Sequence, residues 1–144
     1  MSKNIVETIK SNEDFRTLAQ AIEVSALADT LRQQGPFTVF APTDEAFKNL
    51  PTGTLDGLMK DPSKLRNVIT YQIVDHKITE DEFHKLTADK RTPSVPAMQG
   101  ASLVFKTQGT IQKTMFVNDA KTKSNLVTSN GVIYPIDRVL LPVP

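Results

Sequence analysis

Histidine and carboxylate side chains are the groups of this chain that could do acid–base or metal chemistry. His76 and His84 are its two histidines, with Asp75, Asp81 and Glu82 close by in sequence. A metal ion needs three or four convergent ligands, and two histidines on either side of a loop do not supply that arrangement. We therefore interpret both as ordinary surface histidines, with weak adventitious metal binding as the alternative, and expect no metal site and no cofactor.

Three carboxylates stand at positions that could suggest catalysis. Asp44 and Glu45 form an adjacent pair, and Asp137 follows an apolar run and precedes Arg138. Adjacent side chains on a helix point in different directions, whereas an acidic pair in a first helical turn is favoured by the helix dipole. A lone Asp after a strand is more typical of a hydrogen-bonding anchor. The chain also lacks the nucleophile-elbow, phosphate-loop, dinucleotide-binding and zinc-protease motifs. We expect no enzymatic activity.

Composition limits the classes of partner. The 144 residues carry a formal net charge of +1, no cysteine and no apolar run long enough to span a membrane. Lysines and arginines are scattered, and Lys121 with Lys123 is the nearest approach to a cluster. We therefore expect a single monomeric domain over residues 1–144, with no nucleic-acid partner and no membrane insertion. No signal peptide is visible at the N-terminus.

The clearest local pattern is the run FTVFAPTDEAF at residues 37–47. Its first five residues have the alternation of a buried strand, and Pro42 cannot donate to a ladder, so pairing should stop there. Thr43 is placed to cap a helix that begins at once, with Asp44 in its first turn. The pattern predicts a strand that leads directly into a short helix.

A second distinctive run, SNGVIYPIDRVLLP, lies near the C-terminus. Asn130-Gly131 between apolar runs predicts a hairpin with a type I′ turn, in which both turn residues have positive φ. Pro135 predicts an edge strand or a bulge, because it has no N–H to donate. Residues 139–141 are expected to extend the last strand as far as Pro142.

Helical periodicity dominates the first half of the chain and strand periodicity the second. Together with the early strand at 37–41, this order predicts an α+β fold. Residues 87–100 contain Pro93, Pro96 and Gly100 and are expected to form an irregular connection. This segment is a candidate recognition loop or, alternatively, a plain proline-rich connector.

The runs at 37–47 and 129–142 resemble the two sequence blocks of the fasciclin (FAS1) domain, TVFAPTDEAF and NGVIHVIDxVLLP. The resemblance implies a β-wedge of two packed sheets with several short helices, mostly N-terminal. It also implies an extracellular, periplasmic or cell-surface location. We interpret the characteristic residues of the two blocks as fold determinants, and we expect the two blocks to lie side by side in a sheet. These residues are Thr43, Asp44, Asn130, Gly131 and Asp137.

Two candidate binding positions follow from the same resemblance. Animal fasciclin domains have a Tyr-His pair and an Asp-Ile pair associated with integrin engagement, and the matching positions here are Tyr71-Gln72 and Asn125-Leu126. The histidine is replaced by Gln72. The carboxylate that an integrin-bound metal ion would accept is replaced by Asn125. These departures argue against integrin binding.

The resemblance implies an adhesion or matrix-interaction module that binds a cell-surface or matrix protein or a polysaccharide. The alternative is a small-ligand carrier or sensor with an apolar pocket between the helices and the sheets. The side chains that could line such a pocket are Phe15, Phe47, Phe83 and Phe105. Aromatic residues at these spacings are more often packed in a core.

Overall fold

Short helices and short strands alternate along the part of the chain described by the computed structural model, which comprises residues 3–33, 35–109 and 114–141. The helices are α1 (Ile5–Ser11), α2 (Arg16–Val24), α3 (Ala28–Leu31), α4 (Asp44–Lys48), α5 (Thr54–Met59), α6 (Pro62–Tyr71) and α7 (Glu80–Leu86). Single 3₁₀ turns span Glu13–Phe15 and Ala88–Lys90. The strands are β1 (Phe37–Pro42), β2 (Ile73–Val74), β3 (Ser94–Pro96), β4 (Ser102–Gln108), β5 (Thr114–Val117), β6 (Ala120–Lys121), β7 (Leu126–Thr128) and β8 (Gly131–Ile136).

The strands form two four-stranded sheets, ordered β2-β1-β8-β7 and β3-β4-β5-β6. The predicted α+β class is therefore confirmed. In the first sheet β1 and β8 are parallel neighbours, in register from Phe37 opposite Gly131 to Pro42 opposite Ile136. The two distinctive sequence runs thus lie side by side at the centre of one sheet, as expected.

Alternation along β1 and β8 divides the interior into two cores, one on each face of the first sheet. Val39 and Ile133 pair across the sheet and pack with the helices. Phe40 and Tyr134, one residue further along, pack on the opposite face against the second sheet. Because successive side chains of a strand point to opposite faces, a single pair of strands supplies both cores.

Aromatic rings connect the layers of the second core. The Phe40 ring stacks on Tyr134 at a centroid distance of 5.5 Å and meets Phe105 edge-on at 5.6 Å. Phe105 in turn stacks on Phe83 of α7 at 4.6 Å. These contacts join both sheets and α7. Each aromatic pair stabilises the fold by about 0.5–1.5 kcal/mol beyond the contribution of its buried apolar area.

The turn between β7 and β8 differs from the sequence expectation. The hairpin is present, but Thr128 already pairs with Gly131, so the two turn residues are Ser129 and Asn130. Neither Asn130 nor Gly131 has a positive φ. The type I′ prediction was therefore wrong, because these two residues serve contacts with distant parts of the chain rather than the turn geometry.

Pro135 was expected at an edge or a bulge, yet β8 is an interior strand. The carbonyl oxygens of Asn130 and Ile136 accept the backbone N–H groups of Phe37 in β1 and of Thr43 just after it, so the intervening odd-numbered positions of β8 face the other flank. On that flank β7 begins with Leu126 opposite Ile133 and so does not extend to Pro135, whose carbonyl accepts a hydrogen bond from the Lys123 N–H at 2.8 Å. The missing proline N–H therefore removes no ladder bond to β1.

The strand expected over residues 139–141 does not form, because β8 ends at Ile136. The backbone of Leu140 is instead bonded by a side chain: its N–H donates to Gln72 Oε1 at 2.9 Å, and its carbonyl accepts from Gln72 Nε2 at 2.6 Å. This amide bridge fixes Leu140 at the C-terminal end of α6. Pro142, predicted to end the strand, lies outside the described residues.

Candidate functional site

Asn130 is the most highly connected polar side chain of the central motif. Its buried amide oxygen accepts the backbone N–H of Ile5 at 3.0 Å, at the start of α1. Its amide nitrogen donates to the carbonyls of Leu31 and Gln33, both at 2.7 Å. These three bonds join the hairpin to the beginning of α1 and the end of α3. The side chain thus satisfies backbone groups at helix termini that the helices cannot satisfy themselves.

Gly131 stands where the strands approach most closely. A Cβ atom at this position would lie 2.0 Å from the carbonyl oxygen of Phe37 and 3.0 Å from the Ile5 side chain. Because β1 and β8 pair at this point, neither backbone can retreat without breaking the register. The glycine is required by close approach and not by backbone conformation.

Thr43 and Asp44 connect the end of β1 to the helical layer. The Thr43 hydroxyl accepts the Ala46 N–H at 3.3 Å and so caps α4. The Asp44 carboxylate accepts the backbone N–H of Thr17 at 2.7 Å, at the start of α2. Both side chains are used as acceptors for helix N–H groups, and neither is aimed at a cleft.

Asp137 lies at the junction between the two sheets. Its carboxylate accepts the Lys121 N–H at 2.8 Å, and its own N–H donates to the Lys121 carbonyl at 3.3 Å. Thr122 forms an isolated bridge with Ile136 directly beside this contact. Asp137 thereby ties β6 of the second sheet to the end of β8.

Tyr71 and Gln72, one of the two candidate binding pairs, are buried. Tyr71 is 5% exposed, and its hydroxyl donates to the Ser102 carbonyl and accepts from Asn118. Gln72 is completely buried, and both ends of its amide are bonded to backbone. In this arrangement neither side chain presents a surface to a partner.

Asn125 and Leu126, the second candidate pair, lie elsewhere in the fold. Leu126 begins β7, an edge strand, whereas Tyr71 and Gln72 immediately precede β2 at the opposite edge of the same sheet. Asn125 and Leu126 are half-buried, and the Asn125 N–H donates to Glu80 at 3.3 Å. The two pairs therefore do not form one joint site.

The histidines do not form a catalytic or metal-binding group. His76 is exposed and lies 3.5 Å from Asp75. His84 belongs to α7, and its Nδ1 is buried without a hydrogen-bond partner among the described residues. In residues 3–33, 35–109 and 114–141 there is no group of three or more His, Cys, Asp or Glu side chains that could hold a metal ion.

Tyr134 occupies the position where the family pattern has a histidine. It is completely buried, and its hydroxyl donates to the Ile78 carbonyl at 2.6 Å. Burial raises the pKa of this phenol, and the carboxylates of Glu80 and Glu82 raise it further. The phenol therefore stays protonated and remains a structural donor at neutral pH.

The four phenylalanines proposed to line a ligand pocket are each at most 2% exposed. Phe15 and Phe47 belong to the helix-side core, whereas Phe83 and Phe105 belong to the core between the sheets. They face no common pocket, so their arrangement does not favour a small-ligand carrier.

A basic turn follows α7, although the sequence pattern indicates Lys121 and Lys123 as the nearest approach to a cluster. The structure forms a surface groove of about 560 Å³ here. The signal available in the sequence was the presence of three cations within seven residues, next to a proline. The residues lining the groove are Lys85, Leu86, Lys90, Arg91, Thr92 and Pro93.

The fold and these contacts define a class of protein: a two-sheet α+β domain whose most distinctive residues hold its own layers together. Comparison with known proteins agrees, since a sequence model of the fasciclin domain matches residues 13–142. The chain belongs to the fasciclin family.

Similarity to individual proteins extends over nearly the whole chain. Protein sll1483 of Synechocystis sp. is 38% identical over 96% of this chain and 73% of its own length. Human periostin is 30% identical over 97% of this chain but only 16% of its own length. A FAS1 domain pair from the insect cell adhesion molecule fasciclin I superposes with a TM-score of 0.76 at 19% identity. That match covers 97% of this chain and 51% of the insect chain.

The described helices include none that is long and apolar enough to cross a membrane.

Proposed function

We propose that this protein is a non-catalytic adhesion or matrix-interaction module that binds a protein or polysaccharide at a cell surface or in an extracellular matrix. The observation that carries the proposal is that the polar side chains of the two sequence blocks bond the protein's own backbone. Asn130, Asp137, Thr43 and Asp44 all direct their polar atoms to backbone groups of the same chain. Recognition is thereby left to exposed loops on a rigid scaffold, which is where binding residues commonly lie.

The environment of the titratable groups also supports a non-catalytic role. Catalytic acids and bases are usually gathered in a cleft with perturbed pKa values. Here the carboxylates of the motif act as hydrogen-bond acceptors for backbone N–H groups, and the two histidines lie on different elements. The raised pKa of Tyr134 belongs to a buried phenol with a structural acceptor.

The family relationship supports the setting. The insect fasciclin I that shares this fold is described as a cell adhesion molecule. We extend that role to this chain and propose an extracellular, periplasmic or cell-surface location. We further propose that the domain is monomeric and that its partners include neither nucleic acid nor the membrane interior.

The proposal is tested by immobilising the domain and measuring retention of cells, matrix proteins and polysaccharides. We expect selective retention of at least one partner that is released by soluble domain added as competitor. The control surface carries the same domain, heat-unfolded before coupling at the same density. Absence of retention across a wide panel at high surface density would contradict an adhesion role, and saturable binding of a small apolar ligand would favour the carrier alternative.

A further inference from the structure

The basic groove after α7 has the features of a binding surface rather than of a solvated turn. Lys85, Lys90 and Arg91 are exposed along one groove, and Leu86 beside them is 40% exposed. The ion pairs found among the described residues involve other cations: Lys10 with Glu23, Arg32 with Asp29 and His76 with Asp75. Asp89 lines a neighbouring depression, which it shares with Lys90. Three positive charges therefore line the groove, and among the described residues none of them forms an ion pair.

The backbone of this turn is strained. Asp89 and Lys90 both have positive φ, 57° and 62°, although neither is glycine. Left-handed backbone costs an L residue such as Lys90 about 1–2 kcal/mol, whereas Asp tolerates it better, and such strain tends to persist at functional positions. Contacts on either side hold the turn in place. The Thr87 hydroxyl lies 2.7 Å from that of Thr107, and the Pro93 carbonyl accepts the Phe105 N–H at 3.0 Å.

We propose that this groove binds an acidic polysaccharide, one that carries carboxylate or sulfate groups on successive sugar rings. This inference rests on the proposed function and specifies its partner. Arg91 can hold a carboxylate or sulfate with two parallel hydrogen bonds, and the two lysines supply point charges on either side. Leu86 and Pro93 offer an apolar surface for the C–H face of a sugar ring, and the Thr92 hydroxyl can bond sugar hydroxyls.

Other anionic polymers fit this groove less well. An extended acidic peptide would bind by adding a strand, and the free edge here is β3. That strand is preceded by Pro93 and ends at Pro96, and neither residue has an N–H to donate. A single-stranded nucleic acid needs aromatic platforms for its bases, and the groove is lined by no aromatic side chain.

The test is titration calorimetry of the folded protein with four soluble polymers. We expect binding to polygalacturonate or dextran sulfate but not to uncharged dextran, and binding that weakens steeply as salt rises. Poly-L-glutamate should bind at least tenfold more weakly than the acidic polysaccharides. If poly-L-glutamate binds as tightly as the acidic polysaccharides, the ligand is not specifically a glycan and the inference is overturned. If uncharged dextran binds as tightly, the ligand need not be an anion and the inference is likewise overturned.

Two charge-matched variants locate the site. The groove variant is Lys85→Gln/Lys90→Gln/Arg91→Gln, and the control is Lys60→Gln/Lys64→Gln/Arg138→Gln, which removes the same charges from exposed positions outside the groove. A cation near an anionic surface contributes about fivefold, so the groove variant should bind about 100-fold more weakly and the control nearly as wild type.

Equal losses in both variants would overturn the site and leave only a general effect of net charge. Absence of acidic-polysaccharide binding by the wild-type protein would overturn the inference outright. The proposed function is tested separately, because retention of cells or matrix proteins that survives in the groove variant would leave an adhesion role standing at another surface.

Discussion

Replacement of Asn130 by aspartate is the most direct test of the idea that the central motif holds the fold together. The substitution preserves the shape of the side chain and retains an acceptor for the Ile5 N–H. It removes both N–H donors, so the carbonyls of Leu31 and Gln33 face a carboxylate instead of an amide nitrogen. Asn130 is only 7% exposed, so water cannot easily replace the lost bonds.

The expected cost can be worked out from these contacts. Each buried carbonyl that loses its donor costs about 1–3 kcal/mol, so the pair costs about 2–6 kcal/mol. Burial of a carboxylate beside two carbonyl oxygens adds to this value and raises the pKa of the introduced acid above its unfolded value of about 3.9. The deficit is therefore smallest below about pH 4, where the acid is protonated in both states, and grows as pH rises through the folded-state pKa.

Urea unfolding followed by circular dichroism measures this effect. With a denaturant slope of about 2 kcal/mol/M, the midpoint should fall by about 1–3 M at pH 7. The matched control is Asn125→Asp, the same chemical change at a half-buried position, which should shift the free energy of unfolding by less than about 0.5 kcal/mol. If the two variants unfold alike, or if the Asn130 variant shows no recovery at low pH, the reasoning about this amide is refuted.

Three further expectations concern single positions. Gly131→Ala places a Cβ 2.0 Å from a backbone oxygen of β1, so it should lower the free energy of unfolding, measured in urea, by more than about 4 kcal/mol. In the control Gly57→Ala the new Cβ enters open space, and the substitution should stabilise α5 by about 0.5–1 kcal/mol. Because burial raises the pKa of Tyr134, the free energy of unfolding should fall as pH rises above about 10, and Tyr134→Phe should lack that part of the decline. The Lys10 ammonium lowers the pKa of Glu23, so Lys10→Gln should raise it in an NMR titration, and high salt should do the same to wild type.

Local patterns predicted those parts of the fold that local interactions decide. The strand predicted at 37–41 and the Thr43 cap follow from alternation, from Pro42 and from a hydroxyl before a helical turn, and the structure differs only in extending the strand to Pro42. Family resemblance suggested that the two blocks lie side by side, and the structure shows them as the parallel strands β1 and β8, which join segments about ninety residues apart. Periodicity alone could not have specified this partner.

The errors occurred where distant contacts override local preference. Asn130-Gly131 has the composition of a type I′ turn, but the Asn130 amide bonds residues up to 125 positions away, and Gly131 admits the backbone of Phe37. The apolar residues 139–141 have the composition of a strand, but the buried Gln72 amide takes the backbone bonds of Leu140. In both places the hydrogen bonds of one side-chain amide determine the local backbone conformation.

Candidate binding residues were harder to locate than structural ones for a related reason. Tyr71 and Gln72 were selected by position within a motif, yet a helix stripe of apolar residues is normally packed, and both side chains are buried. The basic turn at 85–93 is inconspicuous in the sequence, because its three cations are spread over seven residues and Asp89 lies among them. Three cations become a surface only when the turn brings them to one side, and that depends on the left-handed backbone at Asp89 and Lys90.

The side chains around Asn130 and those of the basic groove contribute to different properties of the protein: the first to stability and the second, as we propose, to recognition. Around Asn130 every polar atom of the amide is bonded to backbone, so a change there must be compensated inside the protein. At the groove the cations form no ion pair with another described residue, so their charges contribute little to folding. Neutralising Lys85, Lys90 and Arg91 should therefore leave the urea midpoint unchanged while binding is lost. A fold stabilised through its central strands can tolerate a costly turn at its surface, because the free energy lost at the turn is small compared with the contacts that join β1 and β8.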